Sequence, residues 1–144
     1  MGVSKHGILG VSVCLAALVL GCATTPEGPT TEDFIMGTLN SFKTGLEALD
    51  IDKMMTCFSE DFSSNQIGGK DELRTVLEDY KNGGDLNNAR VDMAVANFTT
   101  LEDGTISVFP VDVRTDAGMA VLEFKVKQDM DGVWRAVDMV VNEI

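Results

Sequence analysis

Residues 89–142 read ARVDMAVANFTTLEDGTISVFPVDVRTDAGMAVLEFKVKQDMDGVWRAVDMVVN, and their apolar positions alternate with period two. Three turn signals interrupt the alternation: Glu102-Asp103-Gly104, Thr115-Asp116-Ala117-Gly118 and Asp131-Gly132. Alternation bounded by such turns predicts antiparallel strands over 89–100, 105–115, 118–129 and 133–142. Two-residue turns at Asp103-Gly104 and Asp131-Gly132, with a four-residue turn between, then set the register. They put Phe98, Phe109, Phe124 and Met139 in one cross-strand row, and Ala96, Val111, Leu122 and Val141 in the next. Both rows are apolar throughout, so this face is expected to lie under the helices.

The opposite face sets Lys125 beside Asp138, aligns Asn97, Pro110, Glu123 and Val140, and carries Val95, Val108 and Val121. A solvated face is the first expectation, and its many valines give a homodimer contact through the outer sheet face as the second. A register slipped by one residue at the last hairpin brings Asp138 beside Phe124 inside. The slip also turns Val137 and Met139 outward, so it buries less apolar surface and ranks second.

Upstream, the period changes to that of helices. Ile35, Leu39, Phe42, Leu46 and Leu49 recur at helical spacing over 33–49, with Thr30 or Thr31 placed to cap the start. A second helix is expected from the cap Asp50, carrying Ile51, Met54, Met55, Phe58 and Phe62. Gly68-Gly69 breaks the chain, and a third helix over 70–81 carries Leu73, Val76, Leu77 and Tyr80. Asn82-Gly83-Gly84 ends it as a left-handed cap does. Helices followed by a meander indicate an α+β domain of three N-terminal helices packed on one face of an antiparallel sheet of four or more strands, over 33–144.

Residues 1–21 combine Lys5 with a 13-residue apolar run, Ile8 to Leu20, which is too short to span a bilayer and fits an export signal. It ends at Val19-Leu20-Gly21-Cys22, which resembles a bacterial lipobox. That resemblance implies cleavage before Cys22, lipid attachment there and a stable membrane anchor. Residues 23–31, ATTPEGPTT, read as a flexible tether, so 22–32 forms the lipidated cysteine and linker. Ala23 after the cysteine resembles outer-membrane lipoproteins, implying the periplasmic face of that membrane where the envelope has two. Cys14 is removed with the signal and Cys22 is lipidated. Cys57 is left without a disulfide partner and reads as a buried structural thiol.

The whole chain of 144 residues has net charge −12, and after removal of the signal ten bases face 23 acids, leaving −13. Such a balance argues against nucleic acid. His6 is the only histidine and lies in the signal, so histidine-based catalysis and imidazole metal sites fall away, and no cofactor or metal is expected. Gly68-Gly69-Lys70-Asp71 lacks the rest of a phosphate loop, and Asp129-Met130-Asp131-Gly132 fails the calcium-loop ligand pattern. Asn97-Phe98-Thr99 matches a glycosylation acceptor that carries little weight in a bacterial chain. Acid clusters fall at helix ends, and the eight methionines read as core filler.

The order of these elements, with DIDKMMTCFSEDF at 50–62, the helix from Gly69 to Tyr80 and the closing DGVWRAV at 131–137, resembles the SnoaL-like branch of the nuclear transport factor 2-like superfamily. The resemblance covers about residues 33–142. It implies a cystatin-like cone, often dimeric, with a pocket at its open end, in a superfamily of isomerases, cyclases, dehydratases and proteins that only bind. The pocket candidates are Phe98, Phe109, Phe124, Met139, Tyr80, Asp92 and Arg90, the last two assigned to the inner face near its mouth. Ala94 and Ala96 leave room opposite the helices, for close helix packing first and a pocket second. No catalytic residue is assigned, because an inner face rich in Phe points to a membrane-anchored protein that binds a small apolar ligand or a protein partner. The alternative is a carboxylate-based isomerase or hydratase of the ketosteroid isomerase type, using Asp92 or Asp138.

Overall fold

The computed structural model describes residues 27–143. Residues 1–22, with the expected export signal and the expected lipidation site Cys22, lie outside them. Helix α1 (Thr31–Glu47) begins where the sequence offers a cap. Thr30 accepts from the Asp33 amide while Asp33 returns to Thr30, a reciprocal capping box. Its buried stripe is Ile35, Leu39, Phe42 and Leu46. Leu49 then turns the chain with a φ of +54°, a left-handed step made without glycine or asparagine. Gly45 lets the next segment approach closely, since a Cβ there would lie 2.7 Å from the Met54 amide nitrogen.

The second helix is far shorter than expected. α2 (Ile51–Met55) stops after five residues, and Phe58 and Phe62 belong to an extended passage rather than to a helix. This passage runs beside the last strand. Phe58 bridges Ala136 in parallel, the Ala136 amide donates to Cys57 O (2.8 Å) and the Ser59 amide donates to Ala136 O (2.9 Å). Two short strands, β1 (Ser63–Ser64) and β2 (Gly68–Gly69), continue it. Ser64 Oγ donates to Met139 O, and Gln66 exchanges hydrogen bonds with the Val141 backbone. A strand edge that would stand open is thereby satisfied, which explains why the helix gives way. α3 (Lys70–Gly83) follows and ends at Gly84 in the left-handed conformation, as expected.

The main sheet contains β3 (Arg90–Asp92), β4 (Asn97–Thr100), β5 (Ile106–Thr115), β6 (Gly118–Gln128) and β7 (Trp134–Glu143), with β3 and β4 end to end along one edge of β5. The expected strand over 89–100 is therefore two pieces, separated by a turn at Ala94-Val95. Ala94 and Ala96 belong to this break and not to an inner sheet row.

Three register corrections follow, two from loop chemistry and one from a proline within a strand. Both Asp-Gly turns carry three loop residues, not two, because Leu101 pairs with Thr105 and Asp129 with Val133 around a left-handed Gly104 and Gly132. In the first hairpin this moves Phe98 opposite Val108 and sets Phe109 against Asn97. In the last hairpin an extra residue, Val137, restores the expected pairing, so Phe124 faces Met139 and Lys125 faces Asp138. Between β5 and β6 the expected register holds from Val111 to Thr115, then shifts at Phe109-Pro110. Proline has no amide proton for the ladder, so a bulge is the place it fits. The inner row is Phe98, Val108, Phe124 and Met139, and Phe109 faces outward.

α1 packs against α2, β3 and β7, closing one continuous core that lies entirely within residues 35–139.

Candidate functional site

The interior of the cone is occupied by its own side chains. Phe42 meets Phe124 edge-on at 5.1 Å between ring centroids and Phe58 at 6.0 Å, and Phe58 meets Phe62 at 5.1 Å. Ile35, Leu39, Met54, Val108, Val111 and Val126 complete the packing with no exposed surface. The buried polar side chains among the described residues are Ser59, Ser64, Thr105 and Ser107, so none of the buried residues carries a formal charge. Cys57 sits there too. Burial pushes its thiol up to about 12, against the small opposing effect of a hydrogen bond with the Ala136 backbone.

The candidate residues divide. Phe124 and Met139 are buried in the packed interior and Phe98 is half-buried against it. Phe109 is 45% exposed and Tyr80 50% exposed, so neither enters the cone. Arg90 and Asp92 also point outward, because Val91 takes the buried position of β3. Arg90 donates to its neighbour Ala89 O, and Asp92 accepts from the Ala94 amide (2.8 Å) in a local turn. Asp138 lies on the outer sheet face, where it accepts from Lys125 Nζ (2.9 Å) and raises the Lys125 pKa. The slipped register that would bring it inside does not occur.

Open space lies elsewhere. A cleft of about 520 Å³ separates the first half of α1 from the β6–β7 hairpin, lined by Phe34, Gly37, Thr38, Thr56, Val133 and Trp134 among others. Gly37 forms part of its wall, and a Cβ there would meet nothing within 4 Å. Thr38 Oγ donates to Trp134 O (2.7 Å), tying the two sides together. Arg135 braces the hairpin by donating to Asp129 (2.8 Å) and to both carboxylate oxygens of Asp131 (3.0 and 2.9 Å). This arrangement holds Asp131 below the usual carboxylate range and raises Arg135. Ser59 Oγ donates to the remaining oxygen of Asp129, so both acids are committed.

A second cleft, about 510 Å³, lies between Ala48–Asp52 and the α3 side chains Arg74, Glu78, Lys81 and Asn82. Its guanidinium is engaged by Asp52 (2.8 Å), which raises the Arg74 pKa, with Glu78 at 3.7 Å. The apolar cleft escaped the sequence reading because Phe34 stands one position off the buried stripe of α1 and Val133 follows a turn. That off-stripe aromatic was its one signal.

Among the described residues no three Cys, Asp or Glu side chains gather as metal ligands, and no helix is long and apolar enough to cross a membrane.

No family model matches the chain, and no curated protein is similar to it in sequence. Solved structures are similar in shape. A protein of unknown function with a cystatin-like fold from Nostoc punctiforme superposes with a TM-score of 0.63 at 18% identity, covering 82% of this chain and 96% of its own. An NTF-2-like protein of unknown function from Shewanella oneidensis gives a TM-score of 0.63 at 17% identity, covering 79% and 100%. Aln2 from a Streptomyces species gives 0.61 at 14% identity, covering 81% and 94%. At such identities the likeness establishes a cystatin-like, NTF-2-like fold and leaves activity open.

Proposed function

We propose that the chain is a non-catalytic envelope lipoprotein, anchored through Cys22, whose domain binds a small apolar ligand in the cleft between α1 and the β6–β7 hairpin. Its expected place is the periplasmic face of the outer membrane where two membranes exist. The observation that carries the reading is the packed interior, closed by interlocked phenylalanines with no buried charged side chain among the described residues. A carboxylate isomerase needs an enclosed acid near a hydrogen-bond donor. The two named acids are instead outside, Asp92 in a surface turn and Asp138 paired with Lys125. Binding therefore falls to the cleft, where Phe34, Trp134 and Val133 supply apolar walls and Thr38, Ser41 and Thr56 supply hydroxyls.

The test is a thermal-shift screen of lipids, steroids and quinones on wild type and on Gly37→Leu, which fills the cleft from a position with free space. A ligand that raises the Tm of wild type but not of the variant is the expected result. No shift at saturating concentration of any of them removes the ligand reading.

The outer sheet face supports a second reading, a homodimer. The bulge turns Phe109 onto this face, and half-buried Val121 and Val140 accompany it. Sedimentation at micromolar concentration checks it, with Phe109→Asp expected to favour the monomer.

A further inference from the structure

We infer that the end of the domain formed by the start of α1 and the tip of the β6–β7 hairpin rests on the lipid surface, with Phe34, Met130 and Val133 as its contacts. The inference rests on the lipoprotein reading of Cys22. Three of the large apolar side chains left exposed in the molecule gather here: Phe34 at 55%, Val133 at 42% and Met130 without cover. Phe34 and Val133 line the same cleft, and Met130 projects from the adjacent hairpin turn. Trp134 stands half-buried behind them, with an aromatic body of the kind favoured where bilayer meets water.

Chain length limits which end can face away from the bilayer, and the apolar cluster selects among the orientations left. Eight residues, 23–30, separate Cys22 from the first residue of α1, and fully extended they reach roughly 29 Å. A domain of this size is about 35 Å across. An orientation with the start of α1 at the far pole is thus out of reach of the anchor, and the apolar hairpin tip lies beside that start.

Charge does not oppose the contact as strongly as the overall balance suggests. Asp129 and Asp131 share Arg135, while Asp33, held in the cap at Thr30, and the exposed Glu32 keep their charge at this end. A zwitterionic surface is the matching partner, since an anionic one meets the net −13 of the chain from Cys22 onward.

Trp134 is the only tryptophan in the sequence and reports on this end directly. The chain from Cys22 onward retains every residue of the core. It is coupled through Cys22 to a maleimide lipid in phosphatidylcholine vesicles, while Cys57 is protected by full burial. With brominated phosphatidylcholine in the vesicles, Trp134 emission is expected to fall by about half relative to unbrominated vesicles. In the anchored double variant Met130→Ser, Val133→Ser that loss is expected to shrink several-fold, while Phe109→Ser on the outer sheet face leaves it intact. Unchanged Trp134 emission in the anchored wild type overturns the inference, and so does equal quenching in the double variant. The anchor is checked separately by the mass of the full chain recovered from a bacterial envelope. Lipid on Cys22 with unquenched Trp134 overturns the orientation alone, whereas an unmodified Cys22 removes both.

Discussion

The interior of the cone and its α1-hairpin end use the same kinds of side chain to opposite effect. Inside, Phe42, Phe58, Phe62 and Phe124 interlock edge to face, and none is more than 3% exposed. At the end, Phe34, Met130 and Val133 stand in solvent around a cleft, held in place by polar fixtures such as Thr38 on Trp134 O and Arg135 on two aspartates. The first region supplies stability through dispersion and burial, and the second supplies a surface at little cost to the fold. A cone of this architecture need not keep its pocket within the sheet. Here the inner volume is core, and open space lies at the rim, in the cleft between α1 and the β6–β7 hairpin.

The contrast breaks most sharply if the interior is opened. Phe58→Ala removes a fully buried ring that touches three others and is expected to cost about 3–5 kcal/mol in urea unfolding. Survival of that variant near wild-type stability means the interior relaxes and is not the rigid packing described. Gly45→Ala forces a Cβ against the Met54 backbone and is expected to cost about 1–3 kcal/mol by the same measurement.

Cys57 sharpens the comparison through pH. Its folded pKa of about 12 exceeds the ordinary 9.0, so the contribution is fully present below pH 9. Above pH 9 the unfolded thiol loses its proton while the folded one keeps it, and stability falls as pH rises towards 12. Wild type is expected to lose about 1 kcal/mol more than Cys57→Ala between pH 9 and pH 10, read from urea midpoints at each pH. The smallest effect belongs to the rim. Phe34→Ser with Val133→Ser is expected to change folding stability by less than about 0.5 kcal/mol per site while weakening apolar-ligand and vesicle contact. A larger loss would mean that the rim is part of the core.

Much of the fold was legible before coordinates. Thr30 and Asp33 announced the start of α1, and the stripe from Ile35 to Leu46 gave its buried face. Asn82-Gly83-Gly84 marked the end of α3, and Lys125 was paired correctly with Asp138. The site was less legible. Val91, not its neighbours Arg90 and Asp92, takes the buried position, because the edge strand breaks after Asp92 and loses the register of the hairpin beyond. Phe109 and Val108 exchanged faces for a similar reason, since one extra residue in a ladder reverses every side chain beyond it.

By itself the sequence determined period, polarity and caps, which are local properties written in consecutive residues: helices first, a meander after them, one apolar face and no histidine outside the first 21 residues. Tertiary structure alone decided the third loop residue in each Asp-Gly hairpin, the bulges at Phe109-Pro110 and Val137, and the early end of α2 beside the edge of β7. The hairpin loops close through groups four residues apart, whereas the end of α2 depends on hydrogen-bonding groups more than seventy residues away on β7. A buried edge must find donors and acceptors wherever the fold brings them, and local propensity yields when it does.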